Sequence, residues 1–190
     1  MILYNQFLAG SYLNDPTICE RIVSYWEDNK QTEGTINING STTVDHTKKH
    51  SLDVKFTPDN TSKVYVDYLD QLRVVAKEYM DLYPWSNNFS PWGVLDTVNI
   101  QYYPPGGGFK IWHTERSSSL QPFSSRHLVF MTYLNDVTDG GQTEFYHQEV
   151  SVQPKKGLTL IWPADWTFVH RGVPSQTQEK WIITGWFNFF

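Results

Sequence analysis

Two kinds of hydrophobic spacing divide the chain. In the first part, Ile18, Ile22, Val23 and Trp26 recur at helical intervals up to about Glu27. Asp15-Pro16 ahead of them supplies a capping side chain and a first-turn proline. Residues 30–50 are polar and β-branched, with Gly34, Asn37, Asn39 and Gly40 as punctuation, and read as a long loop or irregular hairpin. Leu52, Val54 and Phe56 alternate as in a short strand. Asn60-Thr61 then caps a second predicted helix to about Tyr83, with Val64, Leu69, Leu72, Val75, Tyr79 and Met80 on its apolar side, and Pro84 ends it.

Beyond Pro84 the period shortens to two. Strands are predicted near Val94–Tyr103, Phe109–Glu115, His127–Asn135, Thr143–Phe145, Val150–Gln153, Leu158–Trp162, Thr167–His170 and Lys180–Phe189, with glycine-rich turns at residues 106–108 and 140–141. Two helices followed by about eight short strands imply a mainly β, α+β protein with N-terminal helices packed on a jelly-roll-like double sheet. No repeat, low-complexity tract or linker interrupts it. The expectation is one domain over residues 1–190: helical support and loop over 1–90, then a jelly-roll core over 91–190.

Composition narrows the function classes. Aromatic residues make up 16% of the 190, eight of them tryptophan, enough to line a cavity or fill a large core. The net charge is −5 and no basic cluster exceeds a pair such as Lys48-Lys49, so nucleic acid is not an expected partner. A single cysteine, Cys19, rules out an intrachain disulfide and a multi-cysteine metal site. Neither a signal peptide nor a membrane span is read from the sequence, and the expected location is a cytoplasm, away from membranes.

The candidate chemistry lies in Phe109-Lys110-Ile111-Trp112-His113-Thr114-Glu115 and in His170 near the C-terminus. On a strand, His113 and Glu115 project to the same face. An imidazole and a carboxylate side by side, joined by a second imidazole from a distant strand, make the facial triad of non-haem Fe(II) oxygenases. Of the other histidines, His46 and His50 fall in the polar loop and are expected in solvent, and His127 is expected to be buried or hydrogen-bonded.

Several further segments follow in order: Arg126-His127-Leu128-Val129-Phe130-Met131-Thr132-Tyr133-Leu134-Asn135, Gly140-Gly141-Gln142-Thr143-Glu144-Phe145, Val169-His170-Arg171-Gly172 and Glu179-Lys180-Trp181. With Tyr103 and the His113–Glu115 pair, they resemble the 2-oxoglutarate- and Fe(II)-dependent oxygenases of the prolyl 4-hydroxylase type over roughly residues 95–190, more like the short bacterial or phage members than the secretory ones. The resemblance implies a double-stranded β-helix, or cupin-like jelly roll. It makes His113, Glu115 and His170 the iron ligands, with glutamate where the family usually has aspartate. Lys180, ten residues after His170, is then the cationic anchor for the far carboxylate of 2-oxoglutarate, assisted by Thr143, Tyr103 (with Tyr102 competing for that place) and Tyr133.

Arg126 and Trp186 are implied as substrate contacts. Fe(II), 2-oxoglutarate and O2 are the implied cofactor and cosubstrates, with ascorbate as a reductant. Phe109, Trp112, Phe145, Trp162 and Trp166 are expected to supply an apolar surround. The implied reaction is hydroxylation of an unactivated C–H bond with release of succinate and CO2, first of all on a prolyl residue in a peptide or protein. A free amino acid or other small molecule is the alternative substrate. A metal-dependent cupin-like enzyme of another kind and a non-catalytic jelly-roll binding module are the rival classes.

Overall fold

The computed structural model describes residues 1–38 and 41–190. In chain order the elements are β1 (Ile2–Asn5), β2 (Leu8–Tyr12), α1 (Ile18–Glu27), β3 (Thr32–Glu33), β4 (Ile36–Ile38), β5 (Ser41–Thr43), β6 (Lys49–His50), β7 (Leu52–Phe56) and α2 (Lys63–Leu82). They continue with β8 (Trp92–Gly93), β9 (Val98–Tyr103), β10 (Gly108–Phe109), β11 (Arg126–Tyr133), β12 (Thr143–Phe145), β13 (Val150–Val152), β14 (Leu158–Pro163), β15 (His170–Gly172) and β16 (Lys180–Phe189). An antiparallel major sheet runs β1-β2-β14-β11-β16-β9-β7-β3, with β8 added at the end of β16. A small sheet β13-β12-β15, a pair β10-β6 and a hairpin β4-β5 complete the strands among the described residues.

The major sheet has two buried faces of different chemistry. On β11, Leu128 and Phe130 point one way, and Val129, Met131 and Tyr133 the other; on β16, Ile183 and Phe187 oppose Ile182 and Trp186. The first face packs on the helices, where Ile18 and Ile22 of α1 and Tyr68, Leu72 and Val75 of α2 are almost wholly enclosed. The second face, with Phe145 and Val152 of the small sheet and Leu160 and Trp162 of β14, forms the core of the jelly roll. Strands buried on both faces lose the polar half of their alternation, which is why β11 and β16 read as nearly continuous apolar runs.

Phe130 marks the centre of the helix-facing side. Its ring lies 5.0 Å from that of Phe187 and 6.4 Å from that of Tyr68. Gly185 directly opposite leaves it room: a Cβ there would stand 2.5 Å from the Phe130 ring.

Several sequence expectations shift. The first twelve residues hold β1 and β2, and β2 pairs with β14 in the major sheet. The predicted loop over residues 30–50 contains β3, the hairpin β4-β5, whose connecting residues 39–40 lie outside the described set, and β6. The second helix starts at Lys63, with no side-chain cap; Asn60 instead accepts a hydrogen bond from the Ser62 amide (2.9 Å). The proposed strand Phe109–Glu115 is not continuous. β10 ends at Phe109, and His113 meets the other side only through an isolated bridge to His170. The expected strand Thr167–His170 is instead a 3-10 turn at Trp166–Phe168 leading into β15, with Asp165 accepting from the Thr167 amide.

Phe130→Ala should destabilise the fold by about 3–5 kcal/mol, because it removes a fully enclosed ring and leaves a cavity. Equilibrium denaturant unfolding measures this directly, and a loss under 1 kcal/mol would mean that the helices and the sheet are not packed as described.

Candidate metal centre and adjoining cavity

His113 and His170 are joined by two backbone hydrogen bonds, each N–H donating to the other residue's carbonyl at 3.0 Å. This narrow antiparallel bridge brings their rings to 4.3 Å between centroids. Each ring then donates from Nδ1 to the carbonyl two residues before it, Ile111 O at 3.0 Å for His113 and Phe168 O at 2.9 Å for His170. A proton on Nδ1 leaves the Nε2 lone pair free. Both Nε2 atoms converge on Glu115 Oε1, at 3.6 Å from His113 and 3.5 Å from His170.

The three donor atoms lie within 4.8 Å of one another, the only such group of histidine, cysteine or acidic side chains among the described residues. Burial drives the His113 pKa down, reinforced by His170 and opposed by Glu115, which favours a neutral, ligating imidazole. Burial works against charge on Glu115, yet positive charge at the two histidine Nε2 positions outweighs it and holds the carboxyl well below its usual range; a divalent ion held there would supply that charge. Two neutral imidazoles with tautomers fixed by carbonyls, facing one ionised carboxylate oxygen, fit an Fe(II)-type divalent ion.

The triad opens into a cavity of about 640 Å³. Strand pairing sets what lines it. On β16, β9 and β7 the register places Lys180 opposite Tyr103, Ile182 opposite Gln101, and Gln101 opposite Asp53. Lys180 is 5% exposed, and its Nζ donates to Gly141 O at 3.0 Å. No carboxylate pairs with it among the described residues. Burial pushes its pKa down to about 8. An enclosed ammonium whose partners are one carbonyl and, at 5.2 Å, the face of the Tyr103 ring is costly and awaits an anion.

Thr143, on the facing strand β12, also lines the cavity. Tyr133 lies behind it and donates to Thr143 Oγ1 at 2.7 Å, which leaves the threonine proton available to the cavity. Tyr103 lines the cavity as well, while Tyr102 packs on the opposite face against Trp26 and Trp181. The Tyr103 hydroxyl donates to Gln101 Oε1 at 2.6 Å and is kept protonated, by burial first and then by Asp53 and Glu115.

Arg126 and Trp186 stand together on the triad's other side, the guanidinium 3.4 Å above the indole centroid. Phe109, Trp112 and Trp162 line the cavity as expected, Phe109 stacking on His113 at 3.7 Å. Phe145 sits behind, 5.7 Å from the His170 ring and fully enclosed. Trp166 is a correction: it is 67% exposed and packs edge-on against His147, away from the cavity. Among the remaining histidines, His127 binds Ser86 O at 2.8 Å. His46 is half exposed, stacks on His50 and faces Glu33 at 3.1 Å.

Sequence reasoning missed a polar network on the cavity wall. Lys49 Nζ donates to Asp53 Oδ2 at 2.9 Å, Ser51 to Asp53 Oδ1 at 2.7 Å, and Gln101 reaches the same carboxylate at 3.4 Å. The only signal in the chain was the i, i+4 spacing of Lys49 and Asp53, which reads equally as a solvated pair.

Lys180→Met should stabilise the protein in the absence of ligands. The folded pKa lies below the unfolded value of 10.5, so the unfolded chain binds more protons between about pH 8 and 10.5. The destabilisation from the buried charge is therefore full below about pH 8 and fades as pH rises towards 10.5. Denaturant unfolding at pH 7 should show a gain on the order of 3 kcal/mol for the variant, shrinking by pH 10. A pH-independent difference would place the ammonium in solvent.

Residues 98–188 match the model of the 2OG-Fe(II) oxygenase superfamily. Solved structures similar to the whole chain include a viral collagen prolyl hydroxylase from Paramecium Bursaria Chlorella virus-1 bound to 2OG. It has a TM-score of 0.69 and 16% identity, with 97% of each chain covered. A prolyl-4-hydroxylase from Pseudomonas putida gives 0.69 and 18%, covering 96% of this chain and 92% of the other. A prolyl hydroxylase from Trichoplax adhaerens, in complex with a hypoxia inducible factor oxygen degradation domain peptide fragment, gives 0.74 and 15%, covering 96% and 84%. At these identities the likeness establishes the double-stranded β-helix fold.

In sequence, the prolyl 4-hydroxylase subunit alpha-2 of Gallus gallus is 30% identical over 78 residues, 37% of this chain and 15% of the relative. Subunit alpha-1 of Rattus norvegicus is 25% identical over 107 residues, 49% of this chain and 20% of the relative. The chain thus matches a fifth or less of these relatives' length. The superfamily match covers β9 to β16, including all three residues of the triad and Lys180, and this part of the chain is similar to the 2OG-Fe(II) oxygenase superfamily.

Proposed function

We propose that the chain is an Fe(II)- and 2-oxoglutarate-dependent dioxygenase that hydroxylates an unactivated C–H bond, with a prolyl residue in a peptide or protein as substrate. One juxtaposition carries the reading: three converging donors, His113, Glu115 and His170, share a cavity with a buried ammonium, Lys180, that has no anionic partner among the described residues. When bound, Fe(II) and 2-oxoglutarate supply the oxidising chemistry, in which O2 and 2-oxoglutarate become succinate, CO2 and the oxygen inserted into the substrate C–H bond.

The protein's own groups bind and orient. The two Nε2 lone pairs and Glu115 Oε1 would hold the metal ion beside the cavity. Lys180 pairs with the far carboxylate of 2-oxoglutarate in a charge-assisted contact, which restores the charge that burial disfavours. Thr143, its oxygen already accepting from Tyr133, donates its proton to the same carboxylate. Tyr103 and Ile182 wall that end of the cavity. Phe109, stacked on His113, and Trp162, edge-on to His170 at 5.1 Å, keep the two imidazoles dry and in place.

The prolyl substrate rests on the kinship with prolyl hydroxylases and on the aromatic and guanidinium surfaces of Trp186, Phe123 and Arg126 beside the triad. An indole face and a cation-capped ring suit a compact apolar ring flanked by peptide carbonyls. Trp112 and Arg171, stacked at 4.5 Å, line the same cavity beside these residues.

Purified protein given Fe(II), ascorbate and 2-oxoglutarate should release succinate faster when a proline-rich peptide is added, and His113→Ala should abolish the release. Succinate formation unaffected by peptides but stimulated by a free amino acid or other small molecule would overturn the prolyl reading. No succinate under any condition would overturn the enzyme itself in favour of a binding module. In the same assay Lys180→Met should raise the KM for 2-oxoglutarate about 10- to 100-fold, the usual worth of a lost charge-assisted hydrogen bond. An unchanged KM would remove Lys180 from the cosubstrate site.

A further inference from the structure

Glutamate at position 115 stands where the related enzymes usually carry aspartate, and its second oxygen is not idle. Oε2 accepts from the Trp186 indole N–H at 3.0 Å and lies 3.3 Å from Arg126 Nη1, which also donates to the Glu115 backbone carbonyl at 3.0 Å. Oε1, by contrast, meets only the two histidine Nε2 atoms. Arg126 is itself fixed: Nη2 reaches Asp96 Oδ2 at 3.3 Å, and the guanidinium is sandwiched between the Trp186 ring at 3.4 Å and the Phe123 ring at 4.6 Å. Arg126, Asp96 and Trp186 come from three separate parts of the chain, and all are substantially enclosed.

We propose that Arg126 and Trp186 are positioning residues that make glutamate, rather than aspartate, the fitting metal ligand in this chain. The proposal rests on the metal-dependent reading given above and deepens it. Trp186 and Arg126 hold Oε2 and thereby aim Oε1 at the site as a single donor. The extra methylene of glutamate is then a matched spacer. An aspartate at 115 is shorter by one carbon–carbon bond, about 1.5 Å. If its carboxylate still reached the histidines, its second oxygen would fall outside hydrogen-bonding distance of the indole; if it kept the indole, it would withdraw from them. Partners behind a metal ligand commonly account for 10- to 100-fold in metal affinity. The indole N–H is thus committed to Glu115, and what Trp186 offers a substrate is its ring alone.

The test is calorimetric titration of the apo protein with Mn(II), anaerobically and without 2-oxoglutarate, for the wild type, Trp186→Phe, Glu115→Asp and the double variant. Trp186→Phe keeps the ring and removes only the donor. It should weaken Mn(II) binding about 10-fold or more, and Glu115→Asp should weaken it likewise. In the Glu115→Asp background, Trp186→Phe should cost less than twofold, because the shorter carboxylate no longer meets the indole; a merely structural role would cost the same in both backgrounds. Equal costs, an unchanged Trp186→Phe affinity, or Glu115→Asp binding as tightly as wild type would each overturn the proposal while leaving the metal site standing. A wild-type protein that takes up no Mn(II) would overturn the metal-dependent function as well.

Discussion

Two reciprocal backbone hydrogen bonds between His113 and His170 are the constraint on which the site depends. They join a segment that belongs to no regular strand to the start of β15, so the two imidazoles are neighbours by backbone geometry before any metal is considered. Each ring then uses Nδ1 on a carbonyl two residues back, which orients Nε2 inward. Glu115 follows His113 by two residues and lands on the same side. The pairing of β15 with β12 and of β12 with β13 ties this bridge to the small sheet. Phe145, directly opposite His170 in that register, packs it against the jelly-roll core.

The major sheet supplies the other half of the site through its alternation. One face is committed to the helices, which leaves the other to become a cavity wall. The order of β16, β9 and β7 then sets a gradient along that wall, from Lys180 and Tyr103 near the small sheet to Gln101 and Asp53 towards the edge. Lys49 and Asp53 pair inside the protein, whereas Lys180 has Gly141 O and the Tyr103 ring but no carboxylate among the described residues. That difference separates an ion pair that is complete without a partner from a buried charge that lowers the stability of the protein in the absence of an anion.

Much of this was legible in the chain. The change from helical to two-residue spacing after Pro84 marks the transition from α2 to the strands that carry the site, because the hydrophobic period follows side-chain direction. His113, Glu115 and His170 stood out by type only weakly, and it was the resemblance to a family that singled them out together with Lys180; the structure brings all four to one cavity. The strand assumed for residues 109–115 does not exist, yet the same-side placement of His113 and Glu115 survives, because the isolated bridge locally extends the backbone. β1 and β2 were invisible because Ile2, Leu3 and Tyr12 are exposed and Gly10, pressed against Leu160, breaks the apolar pattern. The contacts of Trp186 and Arg126 with Glu115 were equally hidden. They depend on the pairing of β11 with β16 and on a register shift between Arg126 and Leu128, which local sequence does not encode. Trp166 misled for the opposite reason, since a tryptophan beside a metal motif suggests a lining residue even when it lies on the surface.

The central claim is that the triad and Lys180 form one composite site for a metal ion and a dicarboxylate. Its most direct test is titration of 2-oxoglutarate into the protein without oxygen, with and without saturating Mn(II). The account predicts tight one-to-one binding in the presence of Mn(II) and binding weaker by at least tenfold in its absence. Equal binding in both conditions, or none in either, would contradict it.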